Sequence, residues 1–297
     1  MKSLKQTLIL LTSMGLIFSC TNEKIENQEL VSVDYQQLSL DVDEHLKSFT
    51  PYFETQESLI STYERFKVEP KIEKSSDETL ITINVDISSD SVEYTIEDLA
   101  DIYSDEQKIF LVDYFNEVAN VKRSELTYVI SKHKSKLENT SFDNEEYDQI
   151  FSILDTAEKT VVLIEDMLST SINSKNDNSL SAKNNCFWEC MAGEGRNIAR
   201  GIAGGAITGG ITGAIAGGTA GTVVFPILGT ATGAVAGGVF GAAEGAIYGA
   251  VGTAFFSAAD CATQCGGSSL GGGGGCARVS EPIGNTGNSM IFQVCPE

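Results

Sequence analysis

The chain has 297 residues, 42% of them hydrophobic, and its 41 acidic and 20 basic residues give a formal net charge of −21. This length is sufficient for a packed core, and the acidic balance argues against nucleic acid or anionic lipid as a partner of the charged part. Most of the charge lies before residue 186, where we interpret it as solvation, with cation binding as the alternative.

Residues 1–19 have the pattern of a signal peptide, with Lys2 and Lys5 ahead of an apolar run. The segment Ile17-Phe18-Ser19-Cys20 resembles the lipobox of bacterial lipoproteins, and this resemblance implies that Cys20 becomes the lipidated, palmitate-bearing first residue. Ordinary signal cleavage that leaves Cys20 free is the alternative. Thr21 does not resemble the aspartate that retains lipoproteins at the inner membrane, so outer-membrane delivery is favoured.

Residues 20–40 are polar and predict a tether, and residues 41–172 predict an acidic, mainly helical soluble domain whose partner is unknown. The alternation of apolar and polar residues from Leu80 to Ile87 predicts a strand. Ser104 and Gln107 have the spacing of a capping box at the start of a helix. Further helices are predicted for residues 57–67, 124–138 and 145–168.

Two groups of polar residues in this domain could suggest chemistry. The carboxylates of Glu145, Glu146 and Asp148 cluster in sequence, but no convergent partner accompanies them, so we predict a solvated surface rather than acid–base catalysis. His133 stands between two lysines and is predicted to be exposed. Residues 173–185 are rich in serine and asparagine and predict a linker.

The segment 186–265 contains two arms in which glycine recurs at every fourth residue. The arms mirror each other about Phe225, so the first glycine of one arm is expected to face the last glycine of the other. Residues four apart share a helix face, and glycine there lets a second backbone approach closely. We therefore predict a closed antiparallel helical hairpin. Its helix-packing glycines are Gly201, Gly205, Gly209, Gly213, Gly217, Gly221, Gly229, Gly233, Gly237, Gly241, Gly245 and Gly249.

The composition of the arms is suited to lipid. A glycine inside a helix in water costs about 1 kcal/mol relative to alanine, whereas lipid forces the backbone to satisfy its own hydrogen bonds. No charge lies between Arg200 and Glu244, and residues 201–221 span about 30 Å as a helix, which is close to the hydrocarbon thickness of a bilayer. We predict two membrane-compatible arms, with Phe187 and Trp188 as an interfacial anchor.

Three features predict contacts beyond the hairpin itself. A row of every fourth residue drifts by about 40° per step on an ideal helix, so we expect the glycine rows to contact other copies of the chain. The apolar tip, residues 223–228, is expected to lie in lipid or against a partner. Glu244 is predicted to face a bundle or a pore, with snorkelling or pairing with Arg200 of a neighbour as the alternatives.

The cysteines that flank the arms predict disulfides. Antiparallel helices bring Cys186 opposite Cys265 and Cys190 opposite Cys261, which would staple the open end of the hairpin. Zinc is the alternative, but its usual ligand spacing is shorter, and both histidines of the chain are remote in sequence.

The C-terminal residues are predicted to form a flexible linker and a small β-hairpin. Residues 266–275 are almost all glycine and serine and predict a flexible linker. Residues 276–297 contain two short apolar runs around a turn-rich centre, which predicts a β-hairpin closed by Cys276 and Cys295. The predicted fold class is therefore mainly α, with an acidic helical domain containing minor β structure, a disulfide-stapled glycine-zipper helical hairpin and a small C-terminal β-hairpin.

The repeated arms resemble the glycine-zipper hairpins of bacterial envelope lipoproteins, such as the rickettsial surface-antigen type. They are also similar, more loosely, to small secreted glycine-zipper bacteriocins. The lipoprotein leader followed by an acidic helical domain resembles the lipoproteins of the Bacteroidota. These resemblances cover the leader and about residues 195–256, and they imply architecture more than activity.

Two functions are consistent with these features. The first is a non-enzymatic, lipid-anchored protein of the outer membrane, on its periplasmic or cell-surface face, whose hairpin associates with or inserts into a membrane and self-associates. The alternative is a bacteriocin-like, contact-dependent toxin that inserts the hairpin into a target cell and permeabilises it. The sequence contains no nucleophile–base set, metal-ligand spacing or phosphate-binding loop, so neither an enzyme activity nor a cofactor or metal is predicted.

Overall fold

The computed structural model describes residues 33–68, 78–86, 89–173, 182–225, 228–265, 276–278 and 289–296, which belong to one compact unit that begins at Val33. The predicted signal peptide, the predicted lipidation site Cys20 and the glycine-rich linker 266–275 lie outside these residues. The acidic segment, the glycine arms and the C-terminal strands are therefore parts of one unit.

Six of the nine α-helices in the described part of the chain precede the hairpin. They are α1 (Tyr35–Ser48), α2 (Thr50–Phe53), α3 (Gln56–Phe66), α4 (Asp105–Asn120), α5 (Arg123–Leu137) and α6 (Asn144–Asn173), with a 3₁₀ turn at Ile96–Asp98. The predicted capping box is present, because Ser104 Oγ accepts from the Gln107 amide at 3.3 Å and Gln107 Oε1 accepts from the Ser104 amide at 2.8 Å.

Helix α1 begins inside the segment predicted as a tether. Asp34 caps this helix, since its Oδ1 accepts hydrogen bonds from the amides of Gln36 and Gln37 at 3.1 and 3.0 Å. Helix α7 (Ala182–Gly193) likewise begins within the linker predicted for residues 173–185, whose residues 174–181 are not described.

In the described residues, six strands form one sheet, with β6 at its centre. They are β1 (Lys67–Val68), β2 (Glu78–Val85), β3 (Thr222–Phe225), β4 (Gly229–Thr232), β5 (Cys276–Arg278) and β6 (Ser289–Pro296). Strand β2, predicted as a strand, runs parallel to β6 along its whole length, and β5 is antiparallel to β6. The predicted C-terminal β-hairpin is present, but β6 also pairs with β3 through Val224 and Ser289. It is therefore part of a larger sheet that joins three regions of the chain.

The glycine arms form α8 (Gly195–Ala220) and α9 (Ala234–Gln264), and the chain between them is a β-ribbon. Thr222 lies opposite Thr232 and Phe225 opposite Gly229 in this ribbon. The prediction that the helical arms extend to Gly221 and resume at Gly229 is therefore wrong at the tip. The β-branched residues of β3 and β4 favour an extended backbone there, and Gly221, with φ of 76°, ends α8.

Helix α9 lies at the centre of the core, where it is buried from Gly241 to Ala259. In the described residues it is the one helix long and apolar enough to cross a membrane, with a mean hydropathy of 1.3, and 83% of that apolar window is buried inside the protein. Ring contacts join α9 to the helices around it, with centroids of Phe53 and Phe255 5.6 Å apart and those of Tyr63 and Phe256 5.8 Å apart. We call residues 33–68, 78–86 and 89–173, which surround the hairpin, the sheath.

Candidate functional site: a stapled glycine hairpin

The two arms meet along a row of glycine backbones, which we call the seam. A methyl group added to Gly205 would lie less than 3.0 Å from the carbonyl oxygen of Gly245, and the reverse substitution would meet the carbonyl of Gly205. The same two-way relation holds for four mirrored pairs, which are Gly201 with Gly249, Gly205 with Gly245, Gly209 with Gly241, and Gly213 with Gly237. In the fifth pair, a methyl group on Gly217 would meet the carbonyl of Gly233, whereas one on Gly233, with φ of 87°, would meet no atom within 4 Å. The mirror symmetry of the sequence therefore corresponds to backbone contact, but the sixth predicted pair, Gly221 with Gly229, is not formed. Gly229 lies opposite Phe225 in the β-ribbon, and the carbonyl of Gly221 accepts a hydrogen bond of 2.8 Å from the amide of Gly233.

The glycine rows stay against the partner helix, whereas on two straight helices they would drift away from it. The five pairs remain in contact over four steps of four residues, which requires the two helices to wind about each other. The seam is thus fully used within one chain. Contact of the hairpin with other copies stays a prediction, and seam drift no longer supports it.

A second set of glycines faces the sheath. Some seam glycines are followed or preceded by a second glycine, and we call these adjacent pairs doublets. In two of them, Gly204–Gly205 and Gly237–Gly238, the glycine beside the seam lies close to a sheath side chain: a methyl group on Gly204 would be 3.5 Å from Tyr94 Oη, and one on Gly238 would overlap Ile102. Gly252 approaches Val294 of β6 in the same way. Sheath residues of the same chain therefore cover this second face at Gly204 and Gly238, whereas Gly218 is exposed.

Two disulfides close the open end of the hairpin with the predicted pairing. The Cα atoms of Cys186 and Cys265 are 5.7 Å apart, and those of Cys190 and Cys261 are 5.5 Å apart. The carboxylate of Glu194 lies close to the second bridge, within 4.8 Å of both sulfurs. Because these sulfurs are bonded to each other they are not thiolate ligands, so the arrangement fits the disulfide alternative and not zinc.

The third predicted disulfide lies outside the hairpin. Cys276 and Cys295 join β5 to β6, with Cα atoms 4.3 Å apart. This bridge closes a strand pair in the shared sheet. All three disulfides thus lie within the hairpin or within the C-terminal strands, and in the described residues none of them joins the hairpin to the sheath.

Arg200 attaches the base of the hairpin to the sheath. Its side chain is 1% exposed, and its guanidinium donates to the carbonyl oxygens of Ala119, Asp86 and Ser89 at 3.1, 3.0 and 2.8 Å. Carbonyl oxygens therefore accept from Nε and Nη1 without an acidic partner, while the buried Nη2 makes no hydrogen bond within the described residues. Pairing of Glu244 with Arg200 of a neighbouring copy stays a prediction. Sequence reasoning missed the carbonyl cluster because backbone acceptors carry no residue signature.

Glu244 supports the tip of the hairpin. Its side chain is fully buried, and its Oε1 accepts a hydrogen bond of 2.6 Å from the backbone amide of Leu228. Phe225 and Leu228 are also buried, and the Phe225 ring lies 6.0 Å from that of Phe240. The apolar tip therefore contacts the protein's own core in this structure, and Glu244 fixes the β-ribbon to α9.

Phe187 and Trp188 are buried rather than displayed as an interfacial anchor. Phe187 is 0% and Trp188 5% exposed, and their rings meet edge to face with centroids 4.9 Å apart. Trp188 is the only tryptophan of the chain, and it lies between the two cysteines that α7 contributes to the staple. It is consequently a natural optical probe of the hairpin base.

The histidine predicted to be exposed is buried. His133 has no exposed side-chain area, and its Nε2 lies 2.8 Å from Glu117 Oε2. Its ring packs edge to face against Phe110 and Tyr114. The prediction failed because the two flanking lysines point away from the face on which His133 lies, as side chains one residue apart on a helix do.

The carboxylate cluster of α6 faces a tyrosine instead of a catalytic partner. Burial, followed by the nearby carboxylates of Glu145 and Asp148, raises the pKa of Tyr35 above its usual value. A shallow groove of about 820 Å³ lies elsewhere, beside Lys122, Arg123 and Glu165. Arg123 and Glu165 form an ion pair of 4.0 Å beside it. Neither place assembles a nucleophile with a base among the described residues.

Comparison with protein-family models, curated proteins and solved structures finds no match to this chain. The function of the chain is therefore inferred from the hairpin and its surroundings, and the resemblances drawn from the sequence remain expectations.

Acidification is expected to weaken the contact between α1 and α9. His45 lies beside the rings of Phe49 and Tyr248, at centroid distances of 4.7 and 6.4 Å, and burial lowers its pKa from 6.5 to about 4. The stabilisation from neutral His45 is therefore complete above pH 6.5 and is lost as the pH falls towards 4. Because the ring is only partly buried, we expect a loss of about 2 kcal/mol.

Urea denaturation of the wild type and of His45→Phe at several pH values between neutrality and the lowered pKa tests this expectation. Phenylalanine keeps the ring contacts and cannot titrate, so the stability difference between the two proteins should change over this range in favour of the variant. A difference that stays constant with pH would contradict the assignment.

Proposed function

We propose that this is a non-enzymatic, lipid-anchored envelope protein that stores a membrane-active glycine hairpin inside an acidic sheath. Cys20 holds the protein at the outer membrane, and the hairpin associates with or inserts into a membrane when the sheath opens. One observation carries the proposal. The hairpin is closed on itself by the seam and two disulfides, while no disulfide of the described residues ties it to the sheath.

The contacts between hairpin and sheath are of a kind that lipid can replace. They are mainly apolar, as in the ring pairs Phe53 with Phe255 and Tyr63 with Phe256. Acyl chains are as apolar as these side chains, so exchange of protein for lipid around a helix leaves the apolar contribution nearly unchanged. The glycine-rich backbone keeps its helical hydrogen bonds in either environment.

The polar contacts of the hairpin are compatible with the same exchange. Release would break the hydrogen bonds from Arg200 to three sheath carbonyls, but Arg200 lies near the stapled base, where a long cationic side chain can reach the headgroups. Glu244 bonds to the amide of Leu228, which is itself part of the hairpin, so this contact can persist.

Self-association of the released hairpin has a structural basis. The seam would remain occupied, but departure of the sheath would uncover the second glycines of the doublets, such as Gly204 and Gly238. A smooth glycine face is the surface through which helices associate in lipid. We therefore place the predicted oligomerisation after release and assign it to this face.

The bacteriocin-like alternative is favoured by the covalent closure of the hairpin base. A stapled, preformed hairpin keeps its structure outside its own cell, and insertion into a foreign membrane followed by association through the doublets would permeabilise that membrane. The anchored envelope protein and the toxin differ in one measurable outcome, which is leakage.

Liposome binding by the full oxidised chain from Cys20 onwards tests the proposal. Neutral phosphatidylcholine vesicles should change the fluorescence emission of Trp188, which is 5% exposed in the closed protein, and Trp188→Phe should abolish the signal. Vesicles that contain phosphatidylglycerol should bind more weakly at low salt because the sheath is acidic. Binding without dye leakage supports the envelope protein, and leakage supports the toxin. An unchanged Trp188 signal at saturating lipid would overturn hairpin release.

A further inference from the structure

One face of the hairpin is open to solvent even in the closed protein. Whereas α9 is buried along its centre, Ile215 of α8 is 60% exposed, and Gly218 and Thr219 are also exposed. Ile211 and Thr212, one turn earlier, are half-buried. We call Thr208, Ile211, Thr212, Ile215 and Thr219 the open face, because their spacing of three and four residues places them on one side of α8.

The open face carries no charge and exposes few polar groups. No acidic or basic residue occurs between Arg200 and Glu244, although the chain as a whole has a formal net charge of −21. Thr212 Oγ1 donates to the carbonyl of Thr208 at 2.9 Å, and Thr219 Oγ1 donates to that of Ile215 at 2.8 Å. These hydroxyl donors are therefore satisfied within the helix.

We propose that the open face is the surface by which the closed, sheathed protein rests on a lipid bilayer before the hairpin is released. Lipid cannot hydrogen-bond to protein, so a surface that meets a membrane needs its hydrogen-bond donors satisfied within the protein. A surface that meets water has no such requirement. The acidic sheath is repelled by anionic headgroups, so an uncharged face is the part of the molecule that can approach the bilayer.

The length of chain ahead of the folded unit favours a bilayer as the occupant. About 13 residues separate Cys20 from Val33, and a chain of this length spans at most about 45 Å when fully extended. If Cys20 is lipidated, as the proposed function holds and as this inference assumes for the cell, the unit remains within that distance of the membrane surface. Such tethering raises the effective concentration of lipid at even a weak docking face.

A second copy of the chain is a less suitable occupant. Two chains with a formal charge of −21 each repel one another. The open face also presents only one isoleucine that is more than half exposed, Ile215, which is a small apolar area for a stable dimer. Docking on lipid needs no such complementary partner surface.

The test compares two isoleucines of equal exposure. Ile215 is 60% exposed on the open face, and Ile109 is 63% exposed on α4, where it follows Lys108 in the acidic sheath. The full chain from residue 20 with Cys20→Ser, which carries no acyl group, is floated with neutral phosphatidylcholine vesicles. We expect Ile215→Asn to lower the vesicle partition coefficient about tenfold, and Ile109→Asn to change it less than twofold. Matching melting curves should confirm that both variants fold.

Each outcome decides between docking and release. If the parent binds and Trp188 responds while Ile215→Asn has no specific effect, docking through the open face is overturned and hairpin release stands. If binding depends on Ile215 but Trp188 does not respond, the docking face stands and release is overturned. Absence of vesicle binding overturns both. A dimer in lipid-free solution that Ile215→Asn dissociates and Ile109→Asn does not would assign the face to a second copy instead.

Discussion

Alanine at Gly205 is expected to destabilise the protein by about 3 kcal/mol, whereas alanine at the neighbouring Gly204 should stabilise it by a few tenths to about 1 kcal/mol. The two positions are adjacent in α8 and differ in what an added methyl group meets. At Gly205 it would lie less than 3.0 Å from the carbonyl oxygen of Gly245, and at Gly204 its nearest neighbour is Tyr94 Oη at 3.5 Å.

The opposite signs follow from the backbone on the other side of the seam. A carbonyl group cannot rotate away as a side chain can, so Gly205→Ala must separate α8 from α9 and loosen the neighbouring glycine pairs. Gly204→Ala makes only ordinary van der Waals contacts, and it removes the conformational entropy that glycine adds to the unfolded chain. Gly209 and Gly210, about one turn further along α8, allow the same comparison. Here Gly209 lies on the seam and Gly210 lies beside it.

Guanidinium chloride unfolding, followed by helical circular dichroism, measures the four variants with the disulfides intact. The expected pattern is a loss of stability for Gly205→Ala and Gly209→Ala and a gain for Gly204→Ala. Gly210→Ala should also gain stability, because its added methyl group, like that of Gly204→Ala, would meet only contacts of 3.5 Å or more. Equal effects at Gly204 and Gly205 would show that helix propensity, and not backbone contact, dominates at these positions.

The parts of the fold that were predictable are those fixed by local spacing. The capping box at Ser104, the strand from Glu78 and the seam glycines all depend on periods of two, three or four residues. The cysteine pairing followed from the same antiparallel symmetry. Such features can be read from one sequence because the interacting residues are related by a fixed count along the chain.

The environment of the hairpin was not predictable in the same way. The open-face threonines, glycines and alanines of α8 suit lipid and a protein interior equally well, since both exclude water. Which of the two surrounds the arms depends on sheath residues such as Phe53 and Tyr63, more than a hundred positions earlier in the chain. The carbonyls that bind Arg200 are invisible in sequence for a related reason, because every residue type carries one.

Individual residues of the candidate site were predicted from the sequence, but the long-range contacts that they make were not. The interruption between the arms is visible in the sequence as the apolar tip at residues 223–228, but its consequence, a β-ribbon that pairs with β6, requires Ser289 from the far end of the chain. Glu244 was noted as the ionisable residue within an arm, while its acceptor role towards the Leu228 amide depends on how the tip folds back. Long-range pairing of this kind leaves no period in the sequence.

Loss of both staples is expected to cost more than the two single losses combined. The Cys190–Cys261 bridge spans 71 residues of sequence and the Cys186–Cys265 bridge 79. In the chain-entropy description, closing a loop of that length contributes about 4.5 kcal/mol to stability. Once either bridge is closed, the other closes only a loop of about ten residues and adds about 2.5 kcal/mol.

The expected losses are therefore about 2.5 kcal/mol for either pair of Cys→Ala substitutions and about 7 kcal/mol for the quadruple variant. Denaturant unfolding of these three proteins, each retaining the Cys276–Cys295 bridge, measures the coupling directly. Removal of Cys276 and Cys295 serves as the matched control: that bridge spans 19 residues outside the hairpin, so its loss should add to the others without coupling.

Purely additive losses would mean that the two staples constrain independent parts of the unfolded chain, contrary to their nested connectivity. The coupled result has a consequence for hairpin release. Either bridge alone would hold the ends of α7 and α9 together, so reduction of the bridge that includes exposed Cys186 would leave the hairpin closed. A hairpin protected in this way can exchange its sheath for lipid without first coming apart, and vesicle binding should then be lost only in the quadruple variant.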